Sequence, residues 1–221
     1  MSIYEDKPTH KGLRKRLIDQ LREKGIRDER VLEAMNNIPR HFFLPHNLEQ
    51  IAYEDRAFPI GEDQTISQPY TVAFQTELLQ VESGEKILEI GTGSVYQASV
   101  LAEMGAFVYT IERQQALFEK NKRFILKNKY PNIQFFLGDG FLGLSAIAPF
   151  NKIIITAGAP HIPDSLLKQL APGGFMVIPV NEGEVQRMLR ITKFEDNSTM
   201  KETFQNFSFV PMLAGVQKKG K

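Results

Sequence analysis

The sequence predicts an α/β fold built on a mostly parallel sheet. Three observations carry this. From residue 84 onward, short apolar runs alternate with helical stretches; a glycine turn, Gly91-Thr92-Gly93, sits where the first run meets its helix; and two alternating stretches joined by a polar turn come near the end. Strand–helix alternation implies parallel strands joined by right-handed crossovers, and the last two stretches an antiparallel hairpin. At 221 residues the chain suffices for one such domain with a sizeable core. It divides into a helical and loop extension, residues 1–83, and the α/β core, residues 84–221.

In the extension, residues 11–24 place Leu13, Leu17 and Leu21 at helical spacing with basic residues between them, which predicts an amphipathic helix. Asp28 is placed to cap a second helix with Val31, Met35 and Ile38 inward, and Pro39 stops it. Residues 40–69 are rich in Pro, Gly and polar side chains and predict a long ordered loop, which is uncommon unless it has a task. Pro69 then starts a helix through Leu79, with Val72, Leu78 and Leu79 as its core residues.

In the core, strands are expected at 86–90, 107–111, 133–137, 152–156 and 175–180, and helices at 96–104, 114–128 and 163–170. The run at 152–156 is almost uninterrupted in its apolarity, as suits a strand buried on both faces. Pro172-Gly173-Gly174 closes the last helix. Stretches 185–194 and 203–211 form the hairpin around Glu195-Asp196-Asn197-Ser198.

Composition narrows the function. Lys+Arg 27 against Asp+Glu 26 leaves a net charge of +1, which argues against a nucleic-acid partner. There is no cysteine, so disulfides, thiolate metal sites and thiol nucleophiles are excluded. The start lacks the basic-then-apolar pattern of a secretion signal, and no apolar run approaches the ~20 residues that span a bilayer. A cytoplasmic protein without membrane contact is expected.

The glycine turn lets the backbone pass close to a ligand at the carboxyl ends of the strands. It is no dinucleotide fingerprint, because Tyr96 occupies the third glycine position. Glu89 precedes the turn by two residues. Glu112 ends the second strand about 20 residues after Gly91, where a carboxylate can accept from both ribose hydroxyls of an adenosine. Its removal is expected to weaken that ligand and leave the fold alone. Asp139, in Gly138-Asp139-Gly140, ends the third strand and is placed to accept from an adenine amino group. A tight β–α turn can use glycines without any ligand, and a single strand-end acid is usually just solvated. Three acids after three successive strands favour an adenosyl ligand.

The segment Pro59-Ile60-Gly61-Glu62-Asp63-Gln64-Thr65-Ile66-Ser67-Gln68-Pro69-Tyr70 resembles the protein-L-isoaspartate O-methyltransferase family. The resemblance continues through Ile87-Leu88-Glu89-Ile90-Gly91-Thr92-Gly93-Ser94, Gly138-Asp139-Gly140, Ala148-Pro149-Phe150, Pro172-Gly173-Gly174 and Phe209-Val210-Pro211. Upstream, Val31-Leu32-Glu33-Ala34-Met35 and Pro39-Arg40-His41-Phe42 look like that family's N-terminal helices. The match implies a seven-stranded Rossmann-like sheet with a variant order of its last strands and helices on both faces. It implies S-adenosylmethionine as cofactor, S-adenosylhomocysteine as product and isoaspartyl peptides as substrate; no metal is implied, and a monomer is expected. By position, Ser67 is the active-site serine. Gln64, Thr65 and Ile66 close over the cofactor beside Glu89, Gly91, Gly93, Glu112, Asp139 and Gly140, and Ile60, Ser67, Val210 and Pro211 meet the substrate. Read from the residues alone, Ser67 could equally N-cap the helix that starts at Pro69.

The family usually carries glycine where this chain has Val95, and a β-branched residue adopts positive φ only at a cost. If Val95 presses on the cofactor, its replacement by glycine should tighten binding. If its side chain faces away, the change is harmless. Gly158 stands where alanine is more usual. The alternatives to an isoaspartyl methyltransferase are a non-catalytic cofactor-binding relative disabled at Val95, or a related RNA methyltransferase. The Gln64-Thr65-Ile66-Ser67 loop and the near-zero charge count against the latter.

Overall fold

Apolar β-branched runs set the centre of the fold, which the computed structural model describes for residues 5–124 and 126–218. Strands β3 (Lys86–Ile90), β4 (Phe107–Glu112), β5 (Ile133–Leu137), β6 (Phe150–Ile155) and β7 (Leu170–Glu182) are mutually parallel; β8 (Val185–Lys193) and β9 (Thr199–Phe207) are antiparallel. Together they form a seven-stranded sheet in the order β5-β4-β3-β6-β7-β8-β9. The order reverses between β3 and β6, and a ligand crevice is expected outside the carboxyl ends of the strands at such a switch point.

Side chains alternate across this sheet, and both faces are buried. Ile87, Val108, Ile154 and Val177 face the larger core, which is covered by the N-terminal helices, α4 (Tyr96–Glu103) and Leu117 of α5 (Gln115–Asn121). Leu88, Ile90, Ile153, Ile155 and Met176 face the other core, which is closed by Leu166 of α6 (Asp164–Gln169).

The N-terminal extension packs as α1 (Pro8–Glu23), α2 (Glu29–Asn37) and α3 (Pro69–Leu79). Asp28 caps α2 as expected, accepting from the Arg30 N–H at 2.9 Å. A polar network ties α1 to the segment after α2. Arg14 donates to Asp6 at 3.0 Å and to the Tyr53 hydroxyl at 3.1 Å; Tyr53 meets His41 Nδ1 at 2.7 Å, and His10 meets Glu49 at 2.9 Å.

The structure differs from the sequence expectation in four places. Residues 40–69 are not one loop. They hold 3₁₀ turns at Arg40–Phe43 and His46–Ile51 and a hairpin of β1 (Phe58–Gly61) and β2 (Gln64–Ile66). Glu62 and Asp63 both take positive φ, 53° and 54°, the left-handed pair that a two-residue hairpin turn requires. The helix expected over 114–128 ends at Asn121, whose side chain turns back to donate to the Gly93 carbonyl at 3.1 Å; residue 125 lies outside the described residues. The strand expected at 175–180 extends as β7 in both directions, and Leu170 pairs with Phe150. The strand expected at 203–211 is β9, which ends at Phe207. The chain after it crosses the ends of the parallel strands instead.

Candidate active site

Close backbone packing builds the floor of the crevice. Gly91 has φ 98°, and a Cβ there would sit 2.6 Å from Thr156 Oγ1, so only glycine fits. The Gly91 and Thr92 N–H groups donate to the Ile111 carbonyl at 2.9 and 3.1 Å, which ties the turn to the end of β4. The Gly93 N–H donates to Glu112 Oε2 and the Gln114 N–H to Glu112 Oε1, both at 2.8 Å. Each Glu112 oxygen therefore keeps a lone pair for a further donor. Burial pushes its carboxyl pKa up, and these backbone N–H groups oppose that.

Glu89 lies deeper. It is fully buried, takes a hydrogen bond from Thr110 Oγ1 at 2.5 Å, and its second oxygen has no partner. Desolvation pushes its pKa up to about 8. Thr92 Oγ1 and Thr110 Oγ1, 2.7 Å apart, link it to the turn.

Val95 has φ 74° and ψ 0°, a left-handed conformation, at the N-cap of α4. For a β-branched residue this is backbone strain of about 1–2 kcal/mol. Its side chain is buried in the larger core.

The walls come from the hairpin and the C-terminal segment. Ser67 follows β2 at the entrance to α3, yet the N-cap of α3 is Gln68 and receives no side-chain cap bond, so Ser67 does not spend its hydroxyl there. On the opposite side, the Gly158 N–H donates to the Val210 carbonyl and the Met212 N–H to the Gly158 carbonyl, both at 2.8 Å. Further on, the Gly215 N–H donates to Asp139 Oδ2 at 2.7 Å and Arg113 Nε to the Gly215 carbonyl at 3.2 Å.

These elements line a cleft at the carboxyl ends of the strands. Gln64, Thr65, Ile66 and Ser67 line one wall, Gly91, Gly93, Glu112 and Gly140 the floor, and Val210 and Pro211 the far wall. Glu89, Asp139 and Ile60 do not line it. Glu89 sits beneath the turn, the Asp139 carboxylate accepts from the Phe141 and Gly215 N–H groups, and Ile60 is core packing. Sequence reasoning did not single out Thr92, Tyr96, Arg113, Thr156 or Met212, which line the cleft. Of these, Thr92 and Tyr96 carried a signal, Thr92 by lying inside the glycine turn and Tyr96 by standing at its third glycine position. A second, open groove adjoins the cleft and shares Thr65, Ser67, Thr156 and Val210 with it.

The cleft suits an adenosyl ligand. Its floor admits no Cβ at Gly91, and a buried carboxylate presents free lone pairs. Among the described residues, no His or Lys lines it.

Comparison with known proteins agrees with this geometry. Residues 12–217 match the family described as protein-L-isoaspartate(D-aspartate) O-methyltransferase. The chain is 53% identical over 209 residues to the protein-L-isoaspartate O-methyltransferase of Cytophaga hutchinsonii, covering 95% of this chain and 94% of that one. It is 44% identical over 207 residues to that of Dictyoglomus thermophilum, covering 94% of each. A solved protein-L-isoaspartate O-methyltransferase superposes with a TM-score of 0.80 at 26% identity, over 92% of this chain and 67% of that one. A Plasmodium falciparum structure named for the same family, solved in complex with S-adenosyl-L-homocysteine, shares the fold, with a TM-score of 0.79 at 24% identity, over 94% of this chain and 99% of that one. This chain belongs to the protein-L-isoaspartate(D-aspartate) O-methyltransferase family.

Proposed function

We propose that this protein transfers a methyl group from S-adenosylmethionine to the α-carboxylate of L-isoaspartyl residues in damaged proteins. The product ester closes to a succinimide and begins repair. The observation that carries this reading is the wall shared by cleft and groove: Ser67 lines both, so a peptide in the groove would meet a ligand in the cleft beside this residue.

When bound, the cofactor supplies a methyl group made electrophilic by its sulfonium. Glu112 holds the ribose hydroxyls with the lone pairs its backbone donors leave free. Gly91, Gly93 and Gly140 let the ligand approach the backbone, and Gln64, Thr65 and Ile66 cover it. Val210 and Pro211 flank the substrate. Glu89, Asp139 and Ile60 support the site from behind: Glu89 under the turn, Asp139 by fixing the C-terminal segment, Ile60 by anchoring the hairpin in the larger core.

The nucleophile is a carboxylate already ionised at neutral pH, so no general base is needed. The protein has to align one carboxylate oxygen with the methyl group and keep water away. The Ser67 hydroxyl does the aligning by donating one hydrogen bond. We place the protein in the cytoplasm as a monomer that needs no metal, and its near-neutral charge supports a reading without a nucleic-acid partner. Among the described residues, no helix is long and apolar enough to cross a membrane.

Ser67→Ala tests the assignment. It should lower kcat/KM for an isoaspartyl peptide by about 10–10³-fold, ~1.4–4 kcal/mol, with cofactor affinity preserved. Full activity in a folded variant would remove Ser67 from the mechanism.

A further inference from the structure

Arg40 heads the largest completely buried side chains of the protein, and no carboxylate forms an ion pair with it among the described residues. A guanidinium in a dry interior is costly unless its donors are satisfied. Here Nε donates to the Ala52 carbonyl at 3.0 Å and Nη2 to the Ser67 carbonyl at 2.8 Å, while Nη1 has no hydrogen-bond partner. Its Cζ lies over the ring of Tyr96, a residue of the cleft wall, 4.7 Å from the ring centre. Burial lowers the pKa of Arg40 to about 10, and Tyr96 offsets part of that, so the group stays protonated at neutral pH.

The residues after Ser67 are held from elsewhere. Gln68 Nε2 donates to the Asp55 carbonyl at 3.0 Å and the Tyr70 N–H to Asp55 Oδ1 at 2.8 Å. The bond from Arg40 is the anchor on the Ser67 peptide itself. It holds the Ser67 backbone where the residue lines both cavities.

We propose that Arg40 is a positioning residue for methyl transfer: its rigid fork bridges the carbonyls of Ala52 and Ser67 and so fixes the Ser67 hydroxyl against the substrate carboxylate. This rests on the reading of Ser67 given above. A lysine at this position keeps the charge but not the planar fork, so it separates geometry from charge.

The test is a double-mutant cycle between Arg40→Lys and Ser67→Ala. Arg40→Lys should lower kcat/KM for an isoaspartyl peptide by about 10²-fold, the loss typical of a misplaced aligning group. Its affinity for S-adenosylhomocysteine by calorimetry should stay within about threefold of wild type. In the Ser67→Ala background the same change should cost less than about threefold, because the group it positions is gone. Arg40→Gln, which removes the buried charge and retains one donor pair, is run through the same cycle in case the lysine variant does not fold. Losses that multiply, an Arg40→Lys enzyme as active as wild type, or a parallel fall in S-adenosylhomocysteine affinity would each overturn the proposal. Failure of both variants to fold would make Arg40 a residue of the fold and overturn it as well. Wild-type activity in Ser67→Ala alone is a separate outcome that removes the reading of Ser67, and the positioning role with it.

Discussion

Replacing Glu89 by glutamine should stabilise the protein at neutral pH and flatten its pH dependence. The carboxyl is fully buried, has one donor in Thr110 and one oxygen without a partner, and its pKa stands at about 8 against 4.5 for an exposed glutamate. Because the folded pKa is raised, the unfolded chain gives up this proton first as pH rises. The unfolded state then binds fewer protons, and stability falls with increasing pH. The Glu89 contribution is complete below pH 4.5 and is lost up to about pH 8. From 4.5 to pH 7, at 1.36 kcal/mol per pH unit, the loss is about 3 kcal/mol; it levels off near 5 kcal/mol above pH 8. Glutamine mimics the protonated acid in shape and still accepts from Thr110, but it does not titrate. Urea melts of both proteins from pH 4.5 to 8.5 should therefore give stabilities that differ little at the acid end. At pH 7 the variant should be ahead by about 3 kcal/mol. The difference between the curves cancels every other titrating group. Parallel curves would show that Glu89 is ionised in the fold, and the account of the buried acid would fail.

Two further outcomes follow from the same floor. Glu112→Ala should weaken S-adenosylhomocysteine binding by about 1.5–3 kcal/mol in calorimetry. Contrary to the sequence expectation, it should also lower the melting temperature, because the Gly93 and Gln114 N–H groups lose their acceptor. At Val95 the usual ranking should invert. Val95→Ala keeps the left-handed strain and should be less stable than Val95→Gly by about 1 kcal/mol, although glycine removes more buried surface. Chemical denaturation of the pair checks this, and an alanine variant more stable than the glycine one would show that the position is relaxed. Cofactor affinity should hardly change in either variant, because Val95 faces the larger core and does not line the cleft.

Most of the sheet was legible because its strands are short apolar runs with one buried alternative. The expected 86–90 and 133–137 coincide with β3 and β5. The β1–β2 hairpin was not legible. Its turn is Glu62-Asp63, and the residues that normally announce two positive-φ positions are asparagine and glycine. The helix expected over 114–128 ends at Asn121, whose side chain is taken up by the Gly93 carbonyl, a long-range contact that the local pattern does not foretell. In the site, the acids could be counted but their depth could not. Glu89 shares its sheet face with Ile87, beneath the turn, whereas Glu112 stands at the end of β4 and reaches over it. Asp139 follows β5 in a turn, and its partner Gly215 belongs to a crossing segment that no local pattern foretells. The cost of Val95 could be named from the sequence, but its sign depended on φ, which only the fold supplies.

The central claim is that the cleft, the groove and the Ser67 wall between them serve carboxyl methylation of isoaspartyl sites. It is tested most directly by giving the purified protein S-adenosylmethionine labelled at the methyl group and two peptides that differ only in an L-isoaspartyl or an L-aspartyl linkage. The account predicts label in the isoaspartyl peptide, with the ester then closing to the succinimide and part of the peptide emerging with the normal aspartyl linkage. Label entering both peptides at equal rates, or neither, would contradict it.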